Sequence, residues 1–168
     1  MTDPASKAQP LSAFRVLDLS EDKARLTTRF LSDLGADVIR VELAGDPPAD
    51  GPDRLAAVRR CTQDAGKRTV RLDVTGPAGR DRFWELLSTA DLLVEDQAPG
   101  TLQRRGLGPD EMRCRFPGLV VLSLTDFGQA GPYRDWVASE QVHMALGGVL
   151  SRSGLPGEPP LLPPAEMA

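Results

Sequence analysis

Few residues in this 168-residue sequence could do chemistry, and their spacing narrows the choice further. His143 is the only histidine and follows Glu140 by three residues, so a helix would put imidazole and carboxylate on one face. Cys61 and Cys114 are far apart, and neither has partners at metal-ligand spacing. Free thiols in a cytoplasmic protein are expected, and no metal site. The nucleotide signatures GxGxxG and GxxxxGK followed by Ser or Thr are absent. What remains is a series of short motifs: DLGADVIRVE from Asp33, GKRTVRLDV from Gly66, ADLLVED from Ala90, PGTLQRRGLG from Pro99 and LTDFGQAGPY from Leu124.

The elements that must position these motifs alternate between strand and helix patterns. Phe14 to Leu19 reads as a strand, followed by a helix whose buried stripe is expected to be Leu26, Phe30, Leu31 and Leu34. Glu21 and Asp22 are expected in its first turn, where the dipole favours acids, and Gly35 is its stop. Ala36 to Glu42 is the second strand, and a strand, helix and strand this close predict parallel pairing. Leu43 to Gly66 reads as a long loop. Lys67 to Val74 is a strand, and Pro77 opens a helix with Phe83, Leu86, Leu87 and Ala90 inward. DLLVED is a strand and PDEMRCRF a short helix. Leu119 to Leu124 is an almost unbroken apolar run, the pattern of a central parallel strand covered on both faces. A turn-rich loop and a helix from about Ala138 to Leu150 follow.

These elements predict an α/β fold, a Rossmann-like open, mostly parallel sheet with helices on both faces. Ligands of such sheets meet the C-terminal ends of the strands, so the loops after them should carry the function. A hydrophobic fraction of 40% and a charged fraction of 26% suit a soluble globular domain. The net charge of −4 comes from interspersed acids and bases, which argues against nucleic acid or an anionic membrane as partner. The N-terminus lacks an apolar signal region, and no apolar stretch is long enough to span a bilayer.

In this order and spacing the five motifs resemble the type III CoA-transferases, the group of formyl-CoA transferase, carnitine CoA-transferase and 2-methylacyl-CoA racemase. The resemblance runs from about Leu11 to the last residue. It implies residues 1–10 as a flexible N-terminus, 11–154 as part of a Rossmann-like large domain, and 155–168 as a proline-rich crossing. It also implies that the chain covers less than half of a member, whose later strands and small domain lie outside it. Members form interlocked dimers, so a homodimer, or a heteromer with a second family subunit, is expected. The substrates implied are an acyl-CoA and a carboxylic acid. Coenzyme A is then a substrate, and no permanently bound cofactor is expected.

The same resemblance assigns roles position by position. Members attack the thioester with an aspartate, giving a mixed anhydride and then an enzyme-bound CoA thioester. The matching position here is Glu140, one methylene longer. Arg40, Leu72, Asp96, Gln97, Arg104 and Tyr133 fall at CoA-binding positions, and Gly128 and Gly131 shape the FGxxGPY loop near the thioester end. Several positions depart from the family pattern. Asp64-Ala65-Gly66-Lys67 replaces Asn-Arg-Gly-Lys, and Glu95-Asp96-Gln97-Ala98 replaces Glu-Asn-Phe-Arg. Lost cations and added carboxylates should weaken the hold on a polyanion. Three expectations follow: a transferase, a non-catalytic partner subunit or silent half of a fused enzyme, and a racemase-like activity. The racemase branch uses a His–Asp pair, but its histidine belongs to a different segment from His143.

Overall fold

The computed structural model describes residues 9–44, 54–155 and 157–161. Five parallel strands lie in the order β3-β2-β1-β4-β5, with β1 at Arg15–Leu19, β2 at Asp37–Leu43, β3 at Arg68–Leu72, β4 at Leu92–Glu95 and β5 at Val120–Ser123. Each of the four pairings is parallel, with Leu17 opposite Ile39 on one side and Leu93 on the other. The connecting helices are α1 (Arg25–Asp33), α2 (Arg54–Asp64), α3 (Pro77–Leu87), α4 (Thr101–Arg104) and α5 (Pro109–Arg115); α6 (Glu140–Leu146) follows the sheet. This is the α/β architecture read from the sequence.

Alternation along the strands divides the core into two layers. Leu17, Leu19, Ile39, Val41, Leu43 and Leu93 meet Phe83 and Leu87 of α3, Leu102 of α4 and Met112 of α5. On the other face Val16, Val38 and Val94 pack with Ala24 and Leu31 at α1. Pro77 and Pro109 stand at the first positions of α3 and α5, where a missing N–H costs nothing. Gly35, at φ 99°, closes α1: the N–H groups of Gly35 and Ala36 return to the carbonyls of Ser32 and Leu31.

Several local expectations need correction. Glu21 and Asp22 precede α1 rather than forming its first turn, because their backbone N–H groups are held by the Asp96 carboxylate. The side of α1 facing the sheet is mixed: Arg25 and Thr28 are buried and Leu31 of the expected stripe packs on the sheet, while Leu26 and Leu34 are exposed and Phe30 is 59% exposed. The sheet explains this, since Asp18 and Arg40 lie on that face and need polar partners. The stretch from Leu43 to Gly66 contains α2, whose Asp64 pairs with Arg25; residues 45–53 of that stretch lie outside the described residues. Finally, β5 is an edge strand among the described residues. Its one partner among the described residues is β4, and Val120 is 60% exposed.

The helix expected from Ala138 to Leu150 is shorter, spanning Glu140–Leu146, with a separate 3-10 turn at Leu150–Arg152. The chain divides into two compact units between Leu124 and Thr125, so the segment expected at 11–154 spans that division. Most of the expected flexible N-terminus, residues 1–8, lies outside the described residues, as do 156 and 162–168 of the proline-rich segment.

Candidate functional site

In the first unit, β1 and β2 each raise one charged residue toward α1. Asp18 is fully buried, and Arg40 lies opposite it in the parallel register. One Asp18 oxygen accepts from the Ser20 N–H at 2.9 Å and faces Arg40 Nη1 at 3.3 Å. The other accepts from Thr28 Oγ1 at 2.7 Å and Lys67 Nζ at 2.8 Å. The Lys67 side chain is 0% exposed, and its ammonium also reaches the Arg25 carbonyl and Asp64 Oδ1. Arg40 donates further to the Ser20 carbonyl. Burial alone would raise the Asp18 carboxyl, but the charges of Lys67 and Arg40, with hydrogen bonds from Lys67 and Ser20, hold it below the usual carboxylate range. Burial and the neighbouring Arg40 charge lower the pKa of Arg25. Arg40, expected at the ligand, is therefore engaged inside the fold. The Nε atoms of Arg25 and Arg40 are buried and have no hydrogen-bond partner among the described residues.

Glu95, Asp96 and Gln97 are all buried where β4 ends. The Asp96 carboxylate accepts three backbone N–H groups across the sheet, from Glu21 at 2.5 Å, Asp22 at 3.0 Å and Ala24 at 3.0 Å. It thus does for the approach to α1 what a capping side chain does for its own helix. Glu95 accepts from the Gln97 N–H at 2.9 Å. Burial raises the Glu95 carboxyl, partly offset by the Ser123 hydroxyl and the Gln97 N–H, and the nearby Asp96 charge raises it further. The Gln97 side-chain oxygen is buried without a partner among the described residues.

A cleft of about 480 Å³ opens where β2 and β3 end, lined by Ala44, Val74, Thr75, Arg80, Gln103, Arg104, Arg105 and Gly106. Three of the lining residues are arginines, and among the described residues none is an acid. Arg104 donates to Thr101 Oγ1 at 2.9 Å within α4, and Arg80 reaches the Thr75 carbonyl. Arg80 Nε is buried with no partner among the described residues. Leu72 is buried at the end of β3, where its carbonyl accepts the N–H of Ala44 at 2.8 Å and so holds the cleft wall. A pocket with several arginines, at the strand ends where α/β sheets take ligands, suits phosphate groups. Arg80 and Arg105 escaped the sequence reading. The adjacent pair Arg104-Arg105 could have signalled the second. Arg80 could have been placed by its position one turn into a proline-opened helix after the third strand.

The second unit carries the remaining candidates. Gly128 and Gly131 have φ of 86° and 101°, with open space where a Cβ would stand, so backbone conformation rather than crowding calls for glycine there. The loop gathers Phe127, Tyr133 and Trp136, with the Tyr133 and Trp136 ring centroids 4.6 Å apart and both rings about half exposed. Glu140 is exposed in the first turn of α6, behind Ser139 as N-cap. His143 Nε2 lies 3.0 Å from Asp126 Oδ1, a contact absent from the expectations above.

The profile of CoA-transferase family III matches residues 11–168. Among curated proteins, the chain is 38% identical to probable CoA-transferase Rv1866 of Mycobacterium tuberculosis, over 91% of this chain and 20% of that protein. It is 37% identical to succinyl-CoA:(R)-benzylsuccinate CoA-transferase subunit BbsE of Thauera aromatica, over 95% of this chain and 41% of that protein. A crystal structure of Rv3272 from Mycobacterium tuberculosis superposes with a TM-score of 0.78 at 35% identity, covering 93% of this chain and 44% of that one. The chain thus spans less than half the length of each of these relatives.

Proposed function

The chain belongs to CoA-transferase family III, and from that premise we propose that it supplies the CoA-holding part of an enzyme that moves CoA between an acyl-CoA and a free carboxylic acid. The observation that carries this reading is the cleft lined by Arg80, Arg104 and Arg105. Coenzyme A is a polyanion at its nucleotide end, and planar guanidinium groups match phosphate oxygens in pairs. Leu72 supports the wall of that cleft. Arg40, Asp96 and Gln97 serve CoA indirectly, by fixing the strand ends around it.

The covalent step would fall to Glu140, whose carboxylate would attack the thioester carbonyl and release CoA thiolate. The thiolate would then attack the glutamyl carbonyl of the mixed anhydride and expel the acyl group as a carboxylate. The acceptor acid reverses the sequence. The FGQAGPY loop, with Gly128, Gly131 and Tyr133, would lie against the acyl end. This chain alone is expected to show no turnover.

A second reading, the silent half or partner subunit, has its own support. BbsE is named as a subunit, and Rv1866 is about twice as long as the other relatives, since a similar match covers half the share of it. The exposed first-turn setting of Glu140 also suits a carboxylate that merely complements the helix dipole. Calorimetric titration of CoA into the chain tests the first reading. Binding that weakens about tenfold or more in R104A/R105A supports it. Equal heats for the two proteins, with both folded, would transfer the case to the silent-partner reading.

A further inference from the structure

Asp126, a carboxylate of the second unit that the proposed chemistry does not use, is almost wholly buried, its side chain 5% exposed. One oxygen accepts the backbone N–H of Ala138 at 3.1 Å, joining the two ends of the loop 126–138. The other faces His143 Nε2 at 3.0 Å. A buried carboxylate can only accept, so Nε2 carries the proton, and the imidazole is held in one tautomer. The same ring lies against Phe127, with centroids 5.9 Å apart, and Phe127 in turn touches Tyr133 and Trp136. The other charges nearby in sequence are Glu140, one turn earlier on α6, and Arg134, which pairs with Asp135 at 3.2 Å.

We infer that His143 is a positioning residue. Through Asp126 it fastens the loop 126–138 to α6 and so sets the shape in which Tyr133 and Trp136 are presented. The glycines explain why a fastener is required. Gly128 and Gly131 let the loop adopt left-handed turns but add conformational freedom that must be removed for one shape to persist. A charge-assisted hydrogen bond to an otherwise enclosed carboxylate does that work at both ends of the loop at once. Without the imidazole, Asp126 keeps the Ala138 N–H but no longer ties it to α6. The functional consequence rests on the reading that this loop meets the acyl end of CoA.

Because His143 is the only histidine, its nitrogen resonances are unambiguous, and the amide of Ala138 reports loop closure directly. In His143→Leu, exchange of the Ala138 amide should rise about tenfold, as for loss of one charge-assisted bond. In His143→Gln, whose amide can still donate to Asp126, exchange should stay near the wild-type rate. Acetyl-CoA should bind His143→Leu severalfold more weakly, with binding restored in His143→Gln, while adenosine 3′,5′-bisphosphate should bind all three proteins alike. Unchanged exchange in His143→Leu, or equal acceleration in both variants, would overturn the fastening. Faster exchange with unchanged acetyl-CoA affinity would overturn the positioning role. Failure of the bisphosphate to bind the wild-type chain would instead count against the arginine cleft, and the exchange comparison would still decide the role of His143.

Discussion

Arg40 and Arg104 stand in the same unit and were equal candidates for a phosphate, yet their surroundings are opposite. Beneath α1, the cations Arg25, Arg40 and Lys67 share the carboxylates Asp18 and Asp64. Lys67 and Asp18 are sealed from solvent. At the ends of β2 and β3, Arg104 is exposed beside Arg80 and Arg105, in a cleft whose lining among the described residues holds no acid. The contrast teaches that a basic residue near a strand end marks a ligand site only where it stays accessible. A buried ion cluster instead specifies packing, and removing one member leaves its partners stranded.

The largest effect should come from breaking the sealed side. Asp18→Ala leaves Lys67 and Arg40 buried without their shared counter-ion, and should cost on the order of 3–5 kcal/mol in denaturant unfolding. Since the Asp18 carboxyl is depressed in the fold, its contribution is full above the unfolded value near 3.8 and is lost as pH falls through the lower folded value. A loss below 1 kcal/mol would mean the cluster is looser than its geometry.

Next in size is Asp96→Ala, which strands three backbone N–H groups before α1 and should cost about 2–3 kcal/mol by the same measurement. The cleft is expected to be intact in that variant, so CoA titration should differ little from wild type. A large loss of CoA affinity in a folded Asp96→Ala protein would make Asp96 a ligand contact and blur the contrast.

How much of this was legible in sequence follows from the range of each signal. The parallel order of strands showed in the alternation and spacing, because Leu17, Ile39 and Leu93 are core residues by local pattern. Gly35 and Pro77 announced helix ends by backbone chemistry alone. The polar buried face of α1 was hidden, since its cause, Asp18 and Arg40 on the sheet beneath, lies in other elements. Of the periodic stripe Leu26, Phe30, Leu31 and Leu34, Leu31 packs on the sheet and the other three are exposed. The apolar run of β5 fixed strand character but not its neighbours. In the site, Arg104 was found through a motif, whereas the capping role of Asp96 depends on contacts 72 to 75 residues away and the role of Asp126 on the fold of the loop around it.

A smaller effect sharpens the comparison from the β4 end. Glu95 is raised in the fold, so its ionised form is disfavoured: the native state gains from its protonation below the unfolded value of 4.5 and loses that gain as pH rises through the raised folded value. Glu95→Gln should therefore stabilise the chain slightly at pH 7, by up to about 1 kcal/mol, with the advantage vanishing in acid. Thermal melts across pH 3 to 7 read it, and a destabilised Glu95→Gln at neutral pH would show that the ionised carboxylate is structurally required.

The most direct measurement is to map CoA onto the nitrogen-labelled chain by amide shifts. The account predicts that Val74, Thr75 and Gly106 at the arginine cleft move on titration, while Ser20 to Ala24 above the sealed cluster stay fixed. Shifts confined to Ser20 to Ala24, with the cleft amides unmoved, would contradict it.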